Sequence, residues 1–135
     1  MIYRKSSLGL LIICLILGYF YVTPKIKKFV ERKQNKQIVE NCSMFSDYIL
    51  KECRANKKIN LEAKAKEAVE LFSTQVQNPV NNKIPAFSLT QGNGVCSAEY
   101  EKDTKTLVVT GLDTNGSILV RIVINPPTFV RYDRD

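Results

Sequence analysis

Leu8-Gly-Leu-Leu-Ile-Ile-Cys-Leu-Ile-Leu-Gly-Tyr-Phe-Tyr-Val22 is a run of fifteen residues without a charge, closed by Thr23-Pro24 and followed by a basic, helix-forming stretch. It reads as a membrane anchor, carried by Leu8, Leu10, Leu11, Ile12, Ile13, Leu15, Ile16, Leu17 and Phe20. A bilayer needs roughly 20 residues of helix, so the span borrows from Ser6-Ser7 and Thr23 or sits as a signal-anchor in a thin membrane. A cleaved signal peptide is the rival reading. Tyr19-Phe-Tyr-Val-Thr-Pro24 is bulky throughout and offers no small-x-small cleavage site. Cys14 follows Ile13, where a lipoprotein signal needs a small residue. The segment is therefore expected to be retained, making a single-pass protein of the cytoplasmic membrane.

Outward from the anchor, charge is uneven. The 135 residues carry a net +7, and much of the excess lies near the membrane: Arg4 and Lys5 before the run, then Lys25, Lys27, Lys28, Arg32, Lys33 and Lys36 after it, opposed only by Glu31. A solvated helix face beside lipid headgroups is the plain reading; attraction to anionic lipid is the functional one. Nucleic acid is not expected as a partner, because no zinc finger, aromatic stacking motif or recognition helix accompanies the basic residues. Counted alone, the positive charges place the soluble part in the cytoplasm. The rest of the chain suffices for one small domain with a single core.

Thr23-Pro24 reads either as an N-cap followed by a first-turn proline or as a kink in a helix leaving the membrane. Ile26, Phe29, Val30, Ile38, Cys42, Phe45 and Ile49 then recur at helical steps, with a polar gap from Glu31 to Gln37, so the helix packs only beyond about Ile38. Asn41-Cys42-Ser43 is one place for a break and Ala55-Asn56-Lys57 a firmer one. Asn60 caps a further helix, Leu61 to Gln77, with Leu61, Ala65, Ala68, Phe72 and Val76 on one face and a Glu62–Lys66 pair on another.

Asn78-Pro79 ends that helix, and strand-forming sequence follows: Val95–Tyr100, Thr106–Thr110, and Ser117–Ile124 with Ile118, Val120, Ile122 and Ile124 on one face against Leu119, Arg121 and Val123 on the other. Asp113-Thr-Asn-Gly116 is a hairpin turn whose Asn115-Gly116 suits positive φ angles. Pro126-Pro127 stops the third strand, and Phe129–Tyr132 is a short edge strand or a tail. The expected fold class is α+β, an N-terminal membrane-anchored helix continuing into helices that pack on an antiparallel sheet of three to four strands. The divisions are 1–23, the anchor; 24–58, the basic stem and helical region; and 59–135, a helix plus the sheet, forming one globular domain with the preceding helices.

This order resembles type IV pilins and pseudopilins. The local pieces that carry the likeness are Pro24-Lys-Ile-Lys-Lys-Phe-Val-Glu-Arg-Lys-Gln34, Asn78-Pro79 with Ile84-Pro-Ala-Phe87, and Val109-Thr-Gly-Leu-Asp113 with Asn115-Gly116. The resemblance implies a structural subunit of a type IV filament or a type II secretion-type assembly, its domain outside the cytoplasmic membrane and its partners other pilin-like subunits, assembly proteins and membrane lipids. Two positions depart from the pilin pattern. Counting back from Pro24, Ser7 stands where those proteins carry a Glu in the apolar helix, and Ile2-Tyr3 stands at the processing site, where a small residue precedes Phe. Such a chain corresponds to a minor, non-polymerising or unprocessed member. The alternative, which the charge count favours, is a signal-anchored protein whose small protein-binding domain faces the cytoplasm.

No enzymatic activity is expected. The chain has no histidine, which removes the commonest general base and metal ligand at neutral pH. Gly92-Asn-Gly94 is too short for a phosphate loop. Asp103, Asp113, Asp133 and Asp135 have no ligand spacing beyond that of ordinary turns, so no metal, cofactor or small-molecule substrate is expected. The cysteines are the one chemically specific group. Cys14 lies in the anchor, leaving Cys42, Cys53 and Cys96, of which at most one intramolecular pair can form. On an unbroken helix the eleven residues from Cys42 to Cys53 would span roughly 16 Å. A disulfide tolerates less than about 7 Å between Cα atoms. Cys96, on an alternating strand, is the better partner for either. Cys53 with Cys96 is the favoured bridge, with Cys42–Cys53 across a broken helix and three buried free thiols as the alternatives.

Overall fold

The computed structural model describes the backbone of residues 2–135 and the side chains from residue 7 onward. The expectations resting on the side chains of Ile2, Tyr3, Arg4, Lys5 and Ser6 lie outside the described residues. The chain divides into two compact units, Met1–Lys33 and Gln34–Asp135.

Helix α1 runs unbroken from Ile2 to Ala55. Pro24 sits inside it and neither starts nor ends a helix, so the N-cap reading of Thr23 is set aside. Proline has no N–H, which leaves the carbonyl four residues earlier without its helical donor. That carbonyl is Phe20's; the Thr23 hydroxyl donates to the adjacent one, of Tyr19, at 2.5 Å. The break expected at Asn41-Cys42-Ser43 is also absent. There Ile38, Cys42, Phe45 and Ile49 are completely buried at helical spacing. Burying that face outweighs the weak helix propensity of Asn and Ser. The helix ends where the firmer signal placed its end, with the Asn56 amide donating back to Glu52 O at 3.0 Å.

Helix α2 (Leu61–Gln75) begins at Asn60, whose side chain accepts from the Ala63 amide at 3.1 Å. It buries Leu61, Ala65, Ala68 and Phe72. It stops two residues earlier than expected, Val76 already being extended. Lys64 ties it to α1, standing 3.4 Å from Glu52 and 3.3 Å from Glu67. Asn78 then organises the connection. Its Oδ1 accepts from the Val80 and Asn81 amides, and its Nδ2 donates to the carbonyls of Pro85 and Asn93.

The sheet has five strands in sequence order: β1 (Phe87–Ser88), β2 (Cys96–Glu101), β3 (Thr106–Leu112), β4 (Ile118–Asn125) and β5 (Thr128–Asp133). The β1–β2 pair is parallel and the others antiparallel. Two residues are too few to show alternation, which is why β1 escaped the sequence. The fold is α+β as expected, with a mostly antiparallel sheet one strand larger.

Register explains the core. Three rows cross β2, β3 and β4: Cys96–Gly111–Val120, Ala98–Val109–Ile122 and Tyr100–Leu107–Ile124. Directly opposed residues share a face, and all of these but the half-buried Tyr100 are buried. Onto them pack Cys42, Phe45 and Ile49 of α1 and the apolar face of α2. Phe45, Phe72 and Phe87 meet with ring centroids 5.3–5.8 Å apart. Ile118 does not join its expected stripe. A register shift beside Gly111–Leu112 pairs Leu112 with Ile118, so Leu119 is the extra residue of a bulge. The bulge reverses the alternation: Leu119 is buried and Ile118 is 51% exposed.

Candidate functional site

Within the first unit, the site is the exposed apolar face of α1. Leu8, Leu10, Leu11, Ile12, Ile13, Leu15, Ile16, Leu17 and Phe20 are all exposed, and no residue of the most apolar window, mean hydropathy 2.0, is buried. In water, leaving nine such side chains uncovered would cost on the order of 15 kcal/mol. The helix is long and apolar enough to cross a membrane. Because it continues without a break on both sides of Leu8–Val22, it supplies the full 20 or so residues that the apolar run alone lacks.

After Pro24 the same helix turns basic. Lys25 Nζ donates to Tyr21 Oη at 2.8 Å and lies 4.1 Å from the Tyr21 ring centre, while Lys33 Nζ lies 5.3 Å from that of Phe29. Each pair sits one turn apart on the helix. An amphipathic tyrosine and a lysine at this position suit the boundary between hydrocarbon and headgroups.

In the second unit two surface grooves stand out, neither of which the sequence suggested. One, about 800 Å³, lies where α1 ends and α2 begins, lined by Arg54, Lys57, Asn60, Tyr100, Lys105 and Pro127 among others. The other, about 740 Å³, runs along α1 from Asn35 to Asp47 and is closed by Arg131 of β5. Arg131 donates to Ser43 Oγ at 2.7 Å and pairs with Asp133 at 2.8 Å. The Arg131 guanidinium holds the Asp133 carboxyl below the usual carboxylate range. Among the described residues, no cluster of three or more cysteines or carboxylates is arranged to hold a metal ion.

Asp113 anchors the β3–β4 turn. Its carboxylate accepts from the Asn115 and Ser117 amides, each at 2.9 Å, and from Arg134 Nη1 at 2.7 Å. Burial alone would raise its pKa, but the Arg134 guanidinium and those two amides hold it below the usual carboxylate range. Of the Asn115-Gly116 pair only Gly116 takes a positive φ, +80°, so the turn is built on the Asp113 side chain and not on a two-residue hairpin loop.

Of the readings the sequence left open for the cysteines, the structure shows the three buried free thiols and not the favoured bridge. All four are free thiols, so the Cys53–Cys96 bridge is not formed. Cys42 and Cys53 stand on one unbroken helix, so by the 16 Å argument they cannot bond. The thiol beside Cys96 is that of Cys42. Burial, and then this neighbour, push the Cys96 thiol well above its usual value. Burial, and then Glu52, raise that of Cys53. The helical spacing Ile38–Cys42–Phe45–Ile49 puts Cys42 on a packed face; what the sequence does not show is that Gly111, directly across from Cys96, leaves the space its thiol fills.

No protein-family model matches this chain, and neither a curated protein nor a solved structure matches it.

Proposed function

We propose that this protein is a membrane-anchored, pilin-like structural subunit, a minor component of a type IV filament or a type II secretion-type assembly. One observation carries the reading: a single helix begins as an exposed apolar span, and its later turns form one layer of an α+β domain with a terminal antiparallel meander. Helix α1 thus does two jobs in one element. Its N-terminal turns offer a surface for lipid or for the equivalent helix of another subunit, and its C-terminal turns complete the core. The function is non-enzymatic, exerted through contacts with other pilin-like subunits or assembly proteins, and the domain faces away from the cytoplasm.

The six basic residues after the span favour a second reading, a signal-anchored domain facing the cytoplasm. Cys96 cannot report the side, because it is 1% exposed. A cysteine at Lys102, exposed in the β2–β3 turn, can. The K102C variant should react with a membrane-impermeant maleimide in intact cells from which any outer barrier has been removed. Labelling only after lysis would establish the cytoplasmic alternative.

A further inference from the structure

The geometry points to a disulfide between Cys42 of α1 and Cys96 of β2, formed as the exported domain folds and fastening the long helix to its sheet. The part that says where it forms rests on the outward-facing reading above. The pairing rests on the register. Gly111 lies directly across from Cys96 on β3. Opposed residues share a face, with Cβ atoms about 5 Å apart. A Cβ placed on Gly111 would come within 2.9 Å of Cys42 Sγ. The Cys42 thiol therefore occupies the space that Gly111 leaves empty, side by side with Cys96. Both residues are sealed, at 0% and 1% exposure, in the same core cluster. Cys53, eleven residues along the helix from Cys42, is excluded from this pair by distance.

Chemically, two thiols become one disulfide with loss of two protons and two electrons. The electrons pass to a disulfide, which leaves as a dithiol where both its sulfurs belong to one protein and as two thiols where it is a small molecule such as glutathione disulfide. The thiolate of one cysteine attacks that donor's S–S bond and expels one of its sulfurs as a thiolate. The second cysteine then attacks the first cysteine's sulfur in the mixed disulfide and expels the donor's remaining sulfur as a thiolate. Once folded, the pair is a poor nucleophile, since burial disfavours the Cys96 thiolate. Exchange therefore takes place on the unfolded or partly folded chain, and packing then shields the bond from reductant.

The full-length chain, unfolded and reduced in detergent, is refolded in a reduced/oxidised glutathione buffer, quenched with acid, alkylated and mapped by mass spectrometry. The expected product joins Cys42 to Cys96, with Cys14 and Cys53 alkylated, and it forms equally in the Cys53→Ser variant. It should melt about 10 °C or more above the reduced protein, because the bond closes a long loop. Bridges to Cys53 at similar yield, or a folded protein with Cys42 and Cys96 both alkylated, would overturn the pairing. In cells, the same mapping is done beside K102C labelling. An outward-facing domain with both thiols free overturns the disulfide and leaves the subunit reading intact. An inward-facing domain overturns that reading and the export-linked part of this one, while the refolding result alone decides the pairing.

Discussion

Ile122 and Arg121 are neighbours in sequence and opposites in environment: Ile122 is 2% exposed in the row with Ala98 and Val109, and Arg121 points to solvent. Ile122→Asp places an unpaired carboxylate in the core and should cost several kcal/mol, enough to unfold the second unit. Arg121→Asp should change stability by less than about 1 kcal/mol. Equal losses in thermal melts would mean that the two faces are exchanged. Asp113 makes a different demand. Its folded pKa is depressed, so its contribution is fully present above the unfolded carboxylate value of about 3.9 and is lost as pH falls through the lower folded value. Asp113→Ala should cost about 2 kcal/mol at neutral pH, where a buried ionised acceptor with three donors is removed. It should also flatten the acid limb of a stability-against-pH curve. An unchanged acid limb would show that the turn does not depend on the charge. Alternation in the sequence made Val120, Ile122 and Ile124 legible as core. It could not reveal the bulge at Leu119, because a one-residue insertion leaves no mark on composition and only shifts the phase of what precedes it.

Long, strongly periodic elements were legible for a physical reason: their stability comes from one repeated face, and a repeated face is visible in the order of residues. That holds for α2, for β2, for β4 beyond its bulge and for the buried turns of α1, whereas β3, buried along its whole length, was legible from its β-branched and apolar residues. Pro24 left two readings open, of which the continuing helix is the one found, and Asn41 misled because it is a local signal overridden by the buried face on either side. β1, a two-residue strand beside β2, exists only through tertiary pairing. The thiol pairing failed on the same ground, since Cys42 reaches Cys96 through the empty face of Gly111 on a third element. That close approach leaves no room for a side chain at Gly111. A methyl group on Gly111 would stand 2.9 Å from both Cys42 Sγ and Ile38 Cγ2 and 3.1 Å from Val120 Cγ1. Gly111→Ala should therefore push α1 off the sheet and cost about 1–3 kcal/mol, read by chemical denaturation. Ala at Gly92, whose added Cβ would meet only Val95, serves as the control. An unperturbed midpoint for Gly111→Ala would mean that α1 and β3 are not in close contact.

For the whole molecule, the outcome that matters is whether copies of this chain associate with one another or with something else. On the pilin-like reading proposed above, Ser7 stands where such chains carry a carboxylate, and the helix then offers no charge there to complement a neighbouring amino terminus. Beyond the span, Lys25, Lys27, Lys28, Arg32 and Lys33 are exposed and offset by a single acid, Glu31. Two identical stems packed side by side would bring these cations within about 10 Å of one another, near the Debye length at physiological salt, and would repel. A partner stem of mixed or acidic charge would not. Apolar contacts along Leu10–Leu17 and around Phe29 and Val30 remain available to such a partner. Single cysteines at Phe29 or Val30, in a Cys14→Ser background, should therefore crosslink to a different subunit in native membranes. Homodimer yield should stay low and rise only at high ionic strength, where the repulsion is screened. Efficient homotypic crosslinking at low salt, or filaments assembled from this chain alone, would sink the minor-subunit reading.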